Sequence, residues 1–366
     1  MGILIFGFVL SVLIVFHEWG HYQAARSLGI RVEAFSLGFG PVLARWKWDG
    51  TQFCLSLFPL GGYVKLAGES SEESKGEPWE FYNRPNWHKF IVVAAGPILN
   101  ALLAFVIFAG VGLFGQPILS SSIGEVAKDY PAATAGILAG DKITELNGQP
   151  IELWQEVLLA IRAFDGDSLN VSVERKGDIK EFVLRPKPTE GADMMGRKKQ
   201  IPVIGIMPSG DFITVKYPFF QAVKIGFMKV VELTSLILTS LWLVVTGAVS
   251  FKQSMAGPIG IYVMTQQAAS FGIANLFDFM GRLSVSLFVI NLLPVPVLDG
   301  GHLFFISAEM ITRKKISDKI KDVAMRIGLI LILSLTVFVL YQDFIKFGIL
   351  DKIMHLFEYA KGLFGK

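Results

Sequence analysis

A metal-binding sequence motif lies at the end of an uncharged, apolar stretch. Residues 14–25 read IVFHEWGHYQAA, and the sixteen residues before His17 carry no charge. On a helix, His17 and His21 share one face, because positions four apart are neighbours. Glu18 projects close by, where it suits a general base for metal-bound water. The spacing therefore predicts a hydrolytic metal site within a membrane helix, the alternative being two interfacial histidines at a helix end.

A catalytic zinc ion needs a third protein ligand and an open position for water. Asp299, in NLLPVPVLDGGH, is the other carboxylate embedded in a comparably apolar run. His302 is the rival third ligand, and Asp299 has the alternative role of a helix cap. Ionisable groups inside membrane segments are costly and usually functional, which favours a metal site over unliganded histidines.

The composition indicates a membrane protein. Of 366 residues, 52% are hydrophobic and 18% are charged, whereas soluble domains carry about 25% charged residues. The net charge of +3 is too small to argue for a nucleic-acid partner. Cys54 is the single cysteine, which excludes a disulfide-stapled secreted module. The N-terminus lacks the basic region of a signal peptide and is expected to remain as the first membrane helix.

Five apolar runs are candidates for spanning helices, which need about 20 residues. They cover 3–25, 90–124, 233–251, 283–308 and 327–342. If the first and fourth runs cross in the same direction, His17 and Asp299 lie at the same depth. The positive-inside rule also places the basic clusters after these two runs on one side. Both arguments predict four crossings, with 233–251 lying on the membrane or dipping into it, whereas hydropathy alone favours five crossings.

Two further segments have β character. Asp49-Gly50 predicts a hairpin within 29–89. Residues 119–190 alternate short β-runs with turn signals, and one amphipathic helix is predicted at 152–163. The turn signals are Asn147-Gly148, Asp165-Gly166 and Lys176-Gly177, and the apolar helix face is Leu153, Val157, Leu158 and Ile161. These residues predict a soluble α+β module inserted between membrane segments.

Three motifs in this order resemble the site-2 protease family of intramembrane zinc metalloproteases, most closely its RseP-like members. They are HEWGH at 17–21, AGPILN at 95–100 and NLLPVPVLDGG at 291–301, accompanied by GFGP at 38–41 and GGYVKL at 61–66. The resemblance implies that His17, His21 and Asp299 bind Zn²⁺, with Glu18 as the general base. It also implies a PDZ domain outside the cytoplasmic membrane. This chain has room for one such domain, where the best-known members carry two.

The expected fold is an α-helical polytopic membrane protein with about four transmembrane helices around a zinc site. A membrane-associated β-hairpin and an inserted α+β PDZ-like domain complete it. The expected segments are the first transmembrane helix (1–28), the cytoplasmic-side hairpin and loop (29–89), the second transmembrane helix (90–115), the extracytoplasmic PDZ-like domain and linker (116–217), an amphiphilic surface helix and loop (218–275), the third transmembrane helix (276–312), a basic cytoplasmic loop (313–324), the fourth transmembrane helix (325–345) and an amphipathic tail (346–366).

Several residues are expected to hold an unwound substrate beside the metal. Pro294 and Pro296 each remove a backbone donor and interrupt a helix. Asn291 has a donor and an acceptor for an extended substrate backbone, or for a helix–helix hydrogen bond. The hairpin, including Gly61, Gly62 and Tyr63, offers a strand edge for β-addition, or else caps the helix bundle on its cytoplasmic side.

The resemblance implies regulated cleavage of single-span proteins, such as an anti-sigma factor or remnant signal peptides, in the bacterial cytoplasmic (inner) membrane. The expected partners are these substrates, the lipid bilayer and a peptide ligand of the PDZ-like domain, which could instead act as a steric filter or spacer. A metal transporter and a non-catalytic membrane scaffold are the rival functions. Neither of them predicts an intact HExxH motif together with an embedded carboxylate.

Overall fold

The computed structural model describes residues 2–192, 198–249 and 257–348. Most of the predicted tail at 346–366 lies outside these ranges. The chain divides into two units. The membrane unit comprises Met1–Val111, Phe220–Trp242 and Ser250–Lys366, and the inserted unit comprises Gly112–Phe219 and Leu243–Val249.

The described residues form long apolar helices, a hairpin and a small α+β unit. The helices are α1 (Gly2–Ser27), α2 (Asn86–Phe114), α3 (Pro131–Ala135), α4 (Trp154–Arg162), α5 (Phe219–Val245), α6 (Pro258–Ser270), α7 (Ile273–Leu292), α8 (Asp299–Thr312) and α9 (Asp318–Lys346). The strands of the hairpin are β1 (Val32–Trp48) and β2 (Thr51–Leu66).

Five helices are long and apolar enough to cross a membrane, namely α1, α2, α5, α7 and α9. The sequence led us to expect a surface helix in the region of α5. In the structure, α5 packs along α2 and α7, where its apolar residues meet Phe108 and Val285. Its Gly226 lies so close to α2 that an added Cβ would stand 2.7 Å from the backbone nitrogen of Ala109. Helix α5 is a fifth candidate span by its length and composition, and the surface helix at 218–275 stays a prediction.

The helix expected at 276–312 is interrupted. Helix α7 ends at Leu292 and α8 begins at Asp299, as the two prolines between them predict. The glycines after Asp299 permit a tight return of the chain, because a Cβ on Gly300 would lie 2.2 Å from the carbonyl oxygen of Leu293. The break places a carboxylate at the start of a new helix within the membrane unit.

The predicted hairpin is confirmed. Strands β1 and β2 pair antiparallel around Asp49-Gly50, and both turn residues have positive φ (48° and 79°), as a two-residue hairpin turn requires. Arg26 of α1 forms an ion pair with the Asp49 carboxylate. Phe35 and Phe53 of the hairpin pack on Tyr22 of α1. The hairpin is thus fixed to the helix that carries the HExxH motif.

The inserted unit is built from short antiparallel strands and two helices. Its strands are β3 (Gln116–Leu119), β4 (Ile123–Val126), β5 (Lys142–Leu146), β6 (Gln149–Pro150), β7 (Leu169–Arg175), β8 (Asp178–Leu184), β9 (Lys187–Ala192), β10 (Lys198–Val203), β11 (Ile206–Pro208) and β12 (Phe212–Val215). The main sheet has the order β6-β5-β7-β8, and the pairs β3–β12, β4–β11 and β9–β10 complete the unit. This arrangement confirms an α+β module.

Most local predictions for the inserted unit hold. Helix α4 falls within the predicted range and buries Val157 and Ile161, but Leu158 is 40% exposed, so the predicted face is wrong there. Asn147-Gly148 and Lys176-Gly177 are hairpin turns with positive φ. Asp165-Gly166 lies in the loop between α4 and β7 instead.

A buried ion pair fixes the loop before β5. Both oxygens of Asp141 accept hydrogen bonds from the Arg175 guanidinium at 2.6 and 2.7 Å, and one also accepts from the Leu138 N–H at 2.9 Å. Burial alone would raise the pKa of the Asp141 carboxyl, but these bonds hold that pKa below its usual value. The carboxylate therefore stabilises the unit at neutral pH, and its contribution is lost only as the pH falls through the lowered pKa.

Candidate metal centre

The structure brings together the three side chains that the sequence predicts as metal ligands. The Nε2 atoms of His17 and His21 lie 3.3 Å apart, and Asp299 Oδ2 lies 3.2 and 3.6 Å from them. Among the described residues, this is the one cluster of three or more His, Cys, Asp or Glu side chains with ligand atoms within 4.8 Å of one another. His302, the rival ligand, lies outside the cluster but lines the same cavity.

The cluster fits a zinc ion. His21 Nδ1 lies 2.8 Å from the Val92 carbonyl oxygen, so this nitrogen donates and leaves the Nε2 lone pair free. Asp299 Oδ2 is buried, and no hydrogen-bond donor is aligned with it. Two imidazole nitrogens and one carboxylate oxygen that converge in this way are a typical donor set for catalytic zinc, which keeps its fourth position for water.

Two glycines allow α1 and α2 to approach closely at the centre. A Cβ on Gly20 would lie 2.3 Å from the Ala95 carbonyl oxygen, and one on Gly96 would lie 2.2 Å from His21 Nε2. Real Cβ atoms do not approach this closely. Position 20 therefore requires glycine, because it faces backbone atoms, whereas a Cβ at position 96 would displace the His21 ring. The AGPILN motif therefore accommodates the second histidine, a role that sequence spacing alone did not reveal.

We expect Gly96→Ala to weaken zinc binding by at least about tenfold, the lower end of the effect of changing a residue that supports a metal ligand, because the added methyl group displaces His21. Gly110→Ala is the matched control, since it lies on the same helix and an added Cβ would meet nothing within 4 Å. Zinc content after dialysis against a chelator measures the difference. Equal zinc retention in the two variants would contradict this role for Gly96.

Glu18 lies between the metal cluster and the hairpin. The backbone N–H of Val64 faces its carboxylate, and a Cβ on Gly62 would stand 3.2 Å from Glu18 Cγ. Strand β2 therefore passes directly over the HExxH motif. Residues 62–65 pair with β1 on one side, and no described strand pairs with their other side.

A cavity of about 690 Å³ contains Glu18 and the three predicted ligands. Of the predicted substrate-binding residues, Gly62, Tyr63 and Asn291 line it. The other three predicted residues have different surroundings. Gly61 packs against the ring of Phe39, and Pro294 and Pro296 shape the turn between α7 and α8.

Sequence reasoning missed a group of charged residues that line the same cavity. They are Glu69, Glu72, Lys89, Glu309, Asp318, Lys321 and Asp322. Among them, the buried Glu309 accepts hydrogen bonds from Lys321 at 2.7 Å and from the Ile316 N–H at 3.0 Å. This contact joins the end of α8 to the start of α9. No local pattern predicts such a group, because its members come from four separate segments.

Many metal-dependent hydrolases bind their metal through the two histidines of an HExxH helix and a carboxylate from a distant segment. The sequence model of peptidase family M50 matches residues 5–335. The chain belongs to this peptidase family.

Similar proteins cover nearly the whole chain. A protein of Agrobacterium fabrum, provisionally named a zinc metalloprotease, is 36% identical over 352 residues, covering 92% of this chain and 93% of that protein. Two other similar proteins carry the same provisional name. The one from Campylobacter jejuni is 33% identical over 341 residues, covering 92% of this chain and 91% of that protein. The one from Clostridium acetobutylicum is 34% identical over 343 residues, covering 94% of this chain and 96% of that protein. Among solved structures, the PDZ domain of an SdrC-like protein from Listeria innocua has 31% sequence identity to this chain. The match covers 24% of this chain and 92% of that domain, with a TM-score of 0.20.

Proposed function

We propose that this chain is an intramembrane zinc metalloprotease that hydrolyses a peptide bond in or near the transmembrane segment of single-span membrane proteins. The convergence of His17, His21 and Asp299 beside Glu18 carries the proposal. The HExxH motif lies on a helix apolar enough to span a membrane. Membership of the peptidase family and the names of the relatives support both the peptidase activity and zinc.

The proposed reaction assigns one task to each group. A zinc ion held by His17, His21 and Asp299 would supply Lewis-acid activation of a water molecule and of the scissile carbonyl. Glu18 accepts the proton of the attacking water and later delivers it to the amine nitrogen, as the C–O bond forms and the C–N bond breaks. The Val64 N–H faces the Glu18 carboxylate and orients it toward the cavity.

A helical substrate must unwind before cleavage, because its carbonyl groups are otherwise held in hydrogen bonds. The edge of residues 62–65 with which no described strand pairs offers backbone partners for an extended segment directly beside Glu18, apart from the Val64 N–H, which faces Glu18 itself. Asn291 lines the same cavity and supplies one more donor and acceptor. These contacts would hold the unwound segment next to the metal cluster.

The inserted unit is proposed to be a PDZ-like domain on the extracytoplasmic side of the bacterial inner membrane. Its antiparallel sheet and packed helix α4 support this assignment. Such a domain would capture an extended peptide, or exclude substrates whose outer portion has not been trimmed. Substrates of the anti-sigma-factor type would make the enzyme part of a signalling relay.

The test is metal-dependent cleavage by the purified full chain in lipid vesicles with a model single-span substrate. Cleavage should stop when a chelator removes the metal and return when zinc is restored. A protein that binds no metal and cleaves nothing would support the membrane-scaffold alternative, and cleavage unaffected by chelation would exclude zinc catalysis.

A further inference from the structure

A buried amide contacts the first metal ligand from the side opposite the metal. Asn100, the last residue of AGPILN on α2, is fully buried. Its Nδ2 atom lies 3.4 Å from His17 Nδ1. Its Oδ1 atom is buried and has no hydrogen-bond partner. Burying an unpaired amide is costly, so its presence among apolar helices calls for a function.

Both histidines of the cluster need a hydrogen-bond acceptor beside Nδ1 if they are to bind a metal through Nε2. Each must direct an Nε2 lone pair at the metal, so each must carry its proton on Nδ1 and donate it to an acceptor. His21 meets this requirement through the Val92 carbonyl oxygen at 2.8 Å. Asn100 is the side chain placed beside the corresponding nitrogen of His17.

The Asn100 side chain can meet this requirement by a half-turn of its amide. The oxygen and nitrogen of an asparagine amide occupy nearly equivalent positions, so their assignment follows from the hydrogen bonds they make. With Nδ2 toward His17, the ring nitrogen must be a bare acceptor, and the proton falls on Nε2, where a metal would bind. With Oδ1 toward His17, the oxygen that otherwise lacks a donor accepts the Nδ1 proton.

We propose that Asn100 is a positioning residue for His17. Its Oδ1 accepts a hydrogen bond from His17 Nδ1 and so keeps the Nε2 lone pair directed at the metal. The inference rests on the proposed function in taking His17 as a zinc ligand. Ser284 donates to the Asn100 backbone oxygen at 2.7 Å and helps to hold α2 at this point.

Three variants test the inference through zinc affinity, measured by competition with a chelator on the purified full chain. Asn100→Leu has a similar volume but no acceptor, and we expect its zinc affinity to fall by about 10- to 100-fold. Asn100→Asp keeps an acceptor and should retain wild-type affinity. Ser284→Ala, the matched control, removes a buried contact to the same residue without touching the acceptor and should also retain it.

A second readout follows the tautomer directly. Nitrogen NMR of the metal-free chain with labelled histidine rings, on an Asp299→Ala background that removes the carboxylate 3.2 Å from His17 Nε2, should show His17 protonated on Nδ1 when Asn100 is present. The His17 signal is identified among the five histidines by its loss in His17→Gln. In Asn100→Leu, the proton should be shared between both ring nitrogens, a change that a purely structural role for Asn100 would not produce.

The outcomes separate this inference from the proposed function. Wild-type zinc affinity and an unchanged tautomer in Asn100→Leu would overturn the inference. If Asn100→Leu does not fold, a folded Asn100→Asp that loses zinc affinity would overturn it equally. A wild-type chain that binds no zinc would instead refute the proposed function, while the tautomer measurement on the metal-free chain would still decide the role of Asn100.

Discussion

Glu18→Gln is expected to abolish peptide-bond hydrolysis while leaving zinc bound. The substitution preserves the size of the side chain but removes the group that accepts a proton from water. General-base catalysis contributes about 10²- to 10⁴-fold, so cleavage should fall by at least about 100-fold. Zinc should remain because Glu18 is not among the three converging ligands. Cleavage rate and zinc content, measured on the same preparation, test both expectations.

Glu72→Gln is the matched control for this prediction. Glu72 also lines the cavity but is exposed, so its variant should keep most of the activity. Normal turnover by Glu18→Gln would exclude Glu18 as the base. An inactive variant that retains zinc also holds uncut substrates, and identifying these by mass spectrometry would reveal the physiological substrate class.

Asp299→Ala is expected to remove zinc and activity together. Changing a residue that only hydrogen-bonds to a metal ligand typically lowers metal affinity by about 10- to 100-fold. Asp299 is itself a proposed ligand, so we expect zinc affinity to fall by at least about 100-fold. The alanine also leaves His17 and His21 as the only protein ligands of the cluster. Metal analysis after dialysis measures the loss.

His302→Ala is the matched control, since His302 lies on the same helix and lines the same cavity but stands outside the ligand cluster. It should retain zinc. Zinc retained by Asp299→Ala and lost by His302→Ala would reverse the assignment of the third ligand.

Local patterns predicted a large part of this structure. The four-residue spacing of His17 and His21 depends only on helix geometry, and the Asp49-Gly50 turn depends only on adjacent residues. The proline pair before Asp299 likewise indicated an interrupted helix. For each feature, the information lies within a few residues of the element it specifies.

Contacts between distant segments were harder to predict. The fit of Gly96 against His21 and the amide of Asn100 beside His17 arise only when α2 packs on α1. Leu158 has the spacing of a buried residue but lies where the inserted unit does not cover it. The packing of α5 on α2 and α7 could likewise not be read from its own composition.

Mapping the scissile bond shows whether this chain cleaves its substrate within the membrane. The full chain and a single-span substrate are reconstituted in lipid vesicles, and the new termini are identified by mass spectrometry, with Glu18→Gln as the inactive reference. We expect zinc-dependent termini in or at the edge of the apolar segment of the substrate. Cleavage confined to the soluble flanks, or equal cleavage by Glu18→Gln, would contradict this expectation.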